Sequence, residues 1–297
     1  MIFPNPFYKH KIDDFNISKY RKQLLNELNA TPLKSNKYQV VILAAGYGKR
    51  MGLDYPKILH KLDYPTGSSS LLNNTLLLID SLKNKVDINK VHLLINKKTR
   101  KFYKEYEDVE NINILELEER FIKGTAICIN TIKSLLDKDR DIVFLWGDLA
   151  LWRLSDLFIA MQVHTHSDSF ITFPTRIKVN PYVAFLRSNT GEISEVMHAN
   201  ESEQYQGVAE QDCLTFICKY DSLLYLDEFI GEYCQNLEVD FIHFIPYLAT
   251  KGIRVVGLPI VENNVVYGLN TPERGEEINR IMSRYKPDEY SFFSSIV

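Results

Sequence analysis

The residues best suited to chemistry sit in one stretch, residues 40–57, VVILAAGYGKRMGLDYPK. A short apolar run gives way to Ala44, Ala45, Gly46 and Gly48, and then to Lys49, Arg50 and, seven residues after Arg50, Lys57. The small residues leave nothing to hold a ligand off the backbone. Glycine also tolerates positive φ, so successive N–H groups can converge on an anion. Arg50 suits a two-armed grip on a phosphate, whereas Lys57 acts as a point charge. A G-x-G on its own is equally an ordinary strand-to-loop turn. Two common phosphate loops are excluded by spacing. A Walker A loop needs Ser or Thr after Gly48-Lys49, where Arg50 stands, and its first glycine falls on Leu43. A dinucleotide fingerprint needs a third glycine where Met51 stands.

The rest of the chain bounds what such a loop serves. The 297 residues make one large α/β domain or two small ones, and the net charge of −3 argues against a general nucleic-acid binder. No apolar run approaches the roughly 20 residues that span a bilayer, and the N-terminus lacks the basic-then-apolar order of a secretory signal. Cys128, Cys213, Cys218 and Cys234 form no C-x-x-C pair, so a reduced cytoplasmic protein is the simplest expectation.

The elements that must position the loop follow from periodicity. Strands are expected at 39–44, 91–95, 112–117, 141–146, 169–174, 182–186, 213–219 and 254–260. Helices are expected at 69–82, 124–136, 153–164, 222–235, 241–252 and 271–285. Alternation of this kind implies a largely parallel sheet covered on both faces. Residues 168–219 break the pattern with strands and polar turns, which predicts a β-rich insertion. Residues 1–37 read as an appendage: a helix over 16–30, capped by Asn16 or Ser18 with Leu24, Leu25 and Leu28 as its stripe, then a linker. It either docks on the main domain or reaches a partner. The main domain is expected over 38–285 and a tail over 286–297. His164 and His166 read as surface residues at a helix end. Asp240 reads as a helix cap. Cys213 and Cys218, five apart, are expected on opposite sides of one strand.

The full stretch LAAGYGKRM followed by YPKIL resembles the signature of the nucleotidyltransferases that activate sugar phosphates. It is most similar to the N-acetylglucosamine-1-phosphate uridylyltransferase domain, with its L-A-A-G-x-G-x-R-M and P-K-x-L-H motifs. KGTAICI, FLWGDLAL and YGLNTPER resemble later stations of that family, so the likeness covers roughly residues 38–284. It implies a GT-A-like nucleotide-diphospho-sugar transferase fold: Rossmann-like, three-layer α/β/α, with a mixed sheet and a β-rich acceptor-side insertion. It further implies that Leu43, Ala44, Ala45, Gly46 and Gly48 cradle a nucleoside triphosphate, with Arg50 and Lys57 on its phosphates. Gly124 and Thr125 would lie near the base, and Asp148 and Asn270 would bind Mg²⁺. For Asp148 a loop or capping carboxylate is the plain alternative. Asn270 could cap the last helix, but Thr271 serves as well and frees it. The implied reaction joins the triphosphate to a phosphorylated small-molecule acceptor and releases pyrophosphate, with no nucleic acid or membrane involved and homo-oligomerisation left open.

Where the uridylyltransferase reads its base with Gln, this chain has Glu119, which accepts from a cytosine amino group or a uracil N–H. Glu119 is equally an exposed residue of the acidic run ELEER. Around the acceptor, Tyr182 matches the family, but Val183, Met197 and Asp212 replace a glycine, a carboxylate and a neutral amide. Sites that hydrogen-bond their substrate reject analogues strongly, so these changes argue against N-acetylglucosamine-1-phosphate. An anionic Asp212 in the pocket would favour a cationic or amino-bearing acceptor, such as phosphocholine or an amino sugar phosphate; a strand-end residue is the alternative. Three readings therefore stand: a UTP- or CTP-dependent sugar-1-phosphate nucleotidyltransferase, a cytidylyltransferase of a phospho-alcohol, and, from other classes, a glycosyltransferase or a catalytically silent nucleotide-binding subunit. Glycosyltransferases of this fold carry D-x-D at the metal station; here Ala150 stands two places after Asp148.

Overall fold

The computed structural model describes residues 12, 15–31, 36–46, 48–199, 204–233, 238–262 and 267–285. Cys234, most of the expected linker before residue 37 and the expected tail 286–297 lie outside the described residues.

Four parallel strands form one half of the central sheet: β1 (Lys37–Ala44), β4 (Asp87–Asn96), β5 (Ile112–Leu117) and β6 (Asp141–Trp146). Between β1 and β4 lie a hairpin, β2 (Lys61–Tyr64) and β3 (Gly67–Ser70), and helix α2 (Leu71–Lys83). The expected helix start at Ser69 and Ser70 is corrected: these serines end β3, and Ser70 caps α2 by accepting from the Asn73 N–H. Helix α3 (Thr125–Ile132) crosses from β5 to β6. A short strand β7 (Leu149–Leu151) and helix α4 (Leu154–Ser167) follow.

The expected β-rich insertion is present as β8 (Ile171–Val179), β9 (Val183–Arg187), β10 (Ile193–His198), β11 (Val208–Asp212) and β12 (Thr215–Cys218). Helices α5 (Leu226–Tyr233) and α6 (Phe244–Thr250), strands β13 (Val255–Pro259) and β14 (Tyr267–Gly268), and helix α7 (Pro272–Met282) complete the described chain. The insertion joins the parallel half through antiparallel pairing of β12 with β6. The result is one mixed sheet ordered β10-β9-β11-β8-β12-β6-β1-β4-β5, with β13 parallel to β8. This is the Rossmann-like three-layer architecture expected from the sequence.

The strands alternate between two cores, as a period of two requires. Tyr38, Val40 and Ile42 of β1 pack with α1 (Ile17–Asn29), α2, α4 and α7; Val41 joins Ile142 and Phe144 against α3, α5 and α6. Burying each such aliphatic side chain contributes about 1.5–3 kcal/mol. Cys213 and Cys218 fall into opposite cores as expected, but only Cys218 lies in β12; Cys213 precedes it in the turn.

Asn16 caps α1 by accepting from the Lys19 N–H, and Tyr20, Leu24 and Leu28 bury its inner face. The helix docks on α4. The expectation that His164 and His166 are surface residues is overturned, because α4 is covered by the sheet on one side and by α1 and α2 on others. Both histidines are buried, and the His164 Nδ1 lies 3.0 Å from the Thr172 hydroxyl. No helix among the described residues is long and apolar enough to cross a membrane.

Candidate active site

In open α/β sheets ligands bind beyond the carboxyl ends of the parallel strands, and four segments named from the sequence meet there. Strand β1 runs through Leu43 and Ala44 into Ala45, Gly46 and Gly48, then into a 3₁₀ turn, Lys49–Met51. A side chain at Gly46 would meet no protein atom within 4 Å, so the protein's own packing does not require the glycine there; the space is open to a ligand. Gly48 differs. It has φ of 64°, and a Cβ there would lie 2.8 Å from the Lys57 Cβ, so the loop backbone rests directly on the Lys57 stem.

Lys57 opens a second 3₁₀ turn, Lys57–Leu59, behind Pro56. Its ammonium donates to Asp148 Oδ2 at 2.9 Å and to Asn270 Oδ1 at 2.9 Å. Asp148 follows β6 and Asn270 follows β14. The ribbon β7–β14 ties them, with Leu149 opposite Gly268 and the Leu269 N–H donating to the Asp148 carbonyl at 2.8 Å. Gly147, which sequence reasoning did not single out, lets this happen. Its N–H donates to the Leu43 carbonyl at 2.9 Å, and a Cβ there would sit 2.8 Å from that same oxygen. The signal was its place between the buried strand and Asp148.

Two oxygen donors thus converge on one cationic point. One carboxylate and one amide carbonyl suit Mg²⁺, which takes few protein ligands and keeps water and phosphate for the rest. Among the described residues no cluster of three or more His, Cys, Asp or Glu offers a competing metal site. Arg50 lies in the turn after the glycines, exposed to solvent.

Gly124 has φ of 92° and precedes α3. The Thr125 N–H and hydroxyl both donate to Asp240 Oδ1, at 3.2 and 3.1 Å, while the Phe241 N–H donates to the Thr125 hydroxyl at 2.8 Å. The expected capping of its own turn is corrected: the Asp240 side chain makes no cap bond to Phe241–His243 and instead holds the start of α3 from 115 residues away. Glu119 pairs with Lys98, and both side chains are more than half exposed. Lys98 follows β4 and Glu119 follows β5, so this pair also stands at the carboxyl edge.

The acceptor-side residues are spread apart. Tyr182 is exposed, its ring edge-to-face with His198 at 5.0 Å. Val183 pairs across the strands with His198, and Met197 with Ala184, so Val183 and Met197 point to opposite faces of the sheet. Val183 is buried in the core. Asp212 is buried too, and its Oδ2 accepts from the Leu214 N–H at 2.9 Å. Burial pushes its carboxyl above the ordinary range, against the pull of the Leu214 N–H and Arg176. The geometry thus favours Asp212 as a corner residue over an anionic acceptor ligand. It holds Leu214, whose φ is 56°, so that the Leu214 carbonyl accepts from the Trp146 N–H, two residues before Asp148.

No family model matches the chain. The bifunctional protein GlmU of Caldicellulosiruptor saccharolyticus is 24% identical over 242 residues, covering 80% of this chain and 50% of that protein. GlmU of Buchnera aphidicola from Schizaphis graminum is 38% identical over 111 residues, 37% of this chain and 22% of that protein. The chain spans half or less of the length of these curated relatives. Among solved structures, the inositol-1-phosphate CTP transferase from T. maritima superposes with a TM-score of 0.62 at 15% identity, over 85% of this chain and 97% of that one. The CTP:phosphocholine cytidylyltransferase LicC from Streptococcus pneumoniae gives 0.59 at 12% identity, over 83% and 99%. At such identities these two structures show the shared fold.

Proposed function

We propose that this chain, a member of the sugar-phosphate nucleotidyltransferase family, transfers a nucleoside monophosphate from a pyrimidine triphosphate to a phosphorylated small molecule, releasing pyrophosphate. The observation that carries the reading is the single point where the Lys57 ammonium meets Asp148 and Asn270. An acceptor phosphate with a second pKa near 6 is largely ionised at neutral pH, so the reaction needs no dedicated base. An acceptor oxygen forms a bond to the α-phosphorus as the bond to the departing pyrophosphate breaks. The obstacles are charge repulsion and alignment, which are met by positioned positive charge. The backbone after β1 receives the phosphates where Gly46 leaves room, and Arg50 and Lys57 offset the charge that develops. Asp148 and Asn270 would hold Mg²⁺, which when bound neutralises phosphate charge.

The acceptor is a sugar-1-phosphate in the leading reading. The case for a cationic acceptor weakens because the Asp212 carboxylate is turned onto its own chain. A panel assay tests both: each nucleoside triphosphate with Mg²⁺ and sugar phosphates or phosphocholine, read by pyrophosphate release. Preference for purine triphosphates refutes the base assignment. Turnover with phosphocholine alone transfers the acceptor to the phospho-alcohol reading. Absence of pyrophosphate across the panel removes the enzymatic proposal in favour of a silent nucleotide-binding subunit.

Glu119 gives a narrower prediction. An exposed ion pair contributes about 0–1 kcal/mol, so Glu119→Gln leaves the melting temperature nearly unchanged. If Glu119 reads the base, the same variant changes the ratio of kcat/KM for CTP to that for UTP by about tenfold, the effect of one polar contact of ~1.4 kcal/mol. An unchanged ratio makes Glu119 a surface residue and nothing more.

A further inference from the structure

A chain of largely buried charge runs from the N-terminal helix to the segment just after β7. Arg153 follows directly on β7 and Trp152 and is almost fully buried. Its Nε donates to Asp156 Oδ2 at 2.9 Å, and its Nη1 lies 3.5 Å from the Glu262 carboxylate, on the segment that leads from β13 toward β14. The other oxygen of Asp156 accepts from Arg21 of α1, at 3.2 Å from Nε and 3.1 Å from Nη2, and the Arg21 Nη2 also donates to the Ser155 hydroxyl at 2.8 Å. The two guanidiniums and two carboxylates balance. Remove Arg21 and the buried Asp156 shares one remaining cation with Glu262, an arrangement that low dielectric penalises. Arg21 on α1 and Arg153 after β7 thus face the two oxygens of one buried carboxylate.

We infer that Arg21, carried on the N-terminal helix, is a positioning residue for the reaction: through Asp156 and Arg153 it holds the β7–β14 ribbon so that Asp148 and Asn270 share one cation. The geometry supports this specifically. Leu149 and Leu151 of β7 pair with Gly268 and Tyr267 of β14, and Asp148 and Asn270 flank that pairing. Arg153 lies two residues beyond the β7 end of the same ribbon and reaches from there to Asp156 and Glu262. Side chains that support metal ligands directly are typically worth 10–100-fold in affinity; Arg21 acts one step further out, so a loss of about three- to tenfold is expected.

The inference rests on the proposed metal station, and the test separates the two. Mn²⁺ binding is measured by electron paramagnetic resonance in the presence of UTP or CTP, alongside hydrogen exchange of residues 148–153 and 267–270. The wild-type protein binding no Mn²⁺ removes the metal station itself, and with it this inference. If it binds, Arg21→Met is expected to weaken Mn²⁺ by about three- to tenfold and to speed exchange in both segments. Arg21→Met combined with Asp156→Asn, which restores the charge balance, recovers most of that loss. Arg21→Lys keeps the charge but loses the two-armed grip, and is expected to fall between. Should Arg21→Met fail to fold, Arg21→Lys carries the comparison. Unchanged Mn²⁺ affinity and exchange in a folded Arg21 variant, with only the melting temperature lowered, overturns the inference and leaves α1 a structural prop.

Discussion

Lys57→Ala is expected to abolish turnover while leaving the protein folded. Removing one positioned electrostatic donor typically costs 10²–10³ in kcat. Lys57 combines that role with holding Asp148 and Asn270 together before substrate arrives, so a fall in kcat/KM of at least ~10³ is expected. The side chains of Lys57 and Asp148 keep 17% and 16% of their exposure, so water can reach the carboxylate once the ammonium is gone. The stability loss should therefore stay near 1–2 kcal/mol, within the ordinary range for a point substitution. Asp148→Ala is expected to match it in activity. Lys57→Arg should not rescue, because a planar fork cannot replace a point charge shared by two oxygens that meet at one position. The check is pyrophosphate release over a range of nucleoside triphosphate concentrations that spans KM, beside a thermal melt of each variant. Retention of more than about a tenth of wild-type kcat/KM by Lys57→Ala, against the loss expected for a positioned charge, removes Lys57 from the mechanism.

Lys57 and Asn270 lie 213 residues apart, and only the resemblance of their motifs to those of one family put both at one site before the fold was known. Lys57 opens a 3₁₀ turn, and Asn270 follows β14, which pairs with β7 outside the main sheet, so strand periodicity alone does not bring them together. The β1, β5 and β6 segments were readable because buried parallel strands are plain apolar runs. Strands β10 and β11 were not. Their sequences, ISEVMH and VAEQD, carry charge at positions that look like loop. Glu210 is nonetheless fully buried, because Arg187 pairs with it and the Thr175 hydroxyl donates to it at 2.6 Å. A buried ion pair is invisible to periodicity, which reads any carboxylate as solvent-facing. The Arg21–Asp156 pair, 135 residues apart, escaped for the same reason. Asp212 shows the converse: the motif position points to a pocket, whereas the folded chain turns the carboxylate onto the Leu214 N–H.

Gly124→Ala is expected to lose both stability and nucleotide affinity, and the two losses share one cause. With φ of 92° and ψ of 160° the position lies in a region open essentially only to glycine, which costs a side-chain-bearing residue about 1–3 kcal/mol. An added Cβ would also lie 2.3 Å from the Val239 carbonyl oxygen and 2.5 Å from its carbonyl carbon and its nitrogen. These are backbone atoms, so no rotamer can make room, and overpacking adds about 1–3 kcal/mol. Nor can Val239 retreat freely. Its N–H donates to the Lys123 carbonyl and its carbonyl accepts from the Ala126 N–H, both at 3.0 Å, so it brackets Gly124 on both sides. Moving it carries Asp240 away from Thr125 and unseats the first turn of α3. Gly252→Ala is the control: φ is 72° there, and a Cβ meets nothing within 4 Å, so it carries the backbone cost alone. The expected result is that Gly124→Ala is less stable than Gly252→Ala by at least the overlap, about 1–3 kcal/mol. Gly124→Ala alone should raise KM for the nucleoside triphosphate, with KM for the acceptor unchanged. Equal melting of the two variants with an unaltered nucleotide KM shows that the approach of Val239 is soft, and that the seating of Thr125 by Asp240 does not serve the nucleotide.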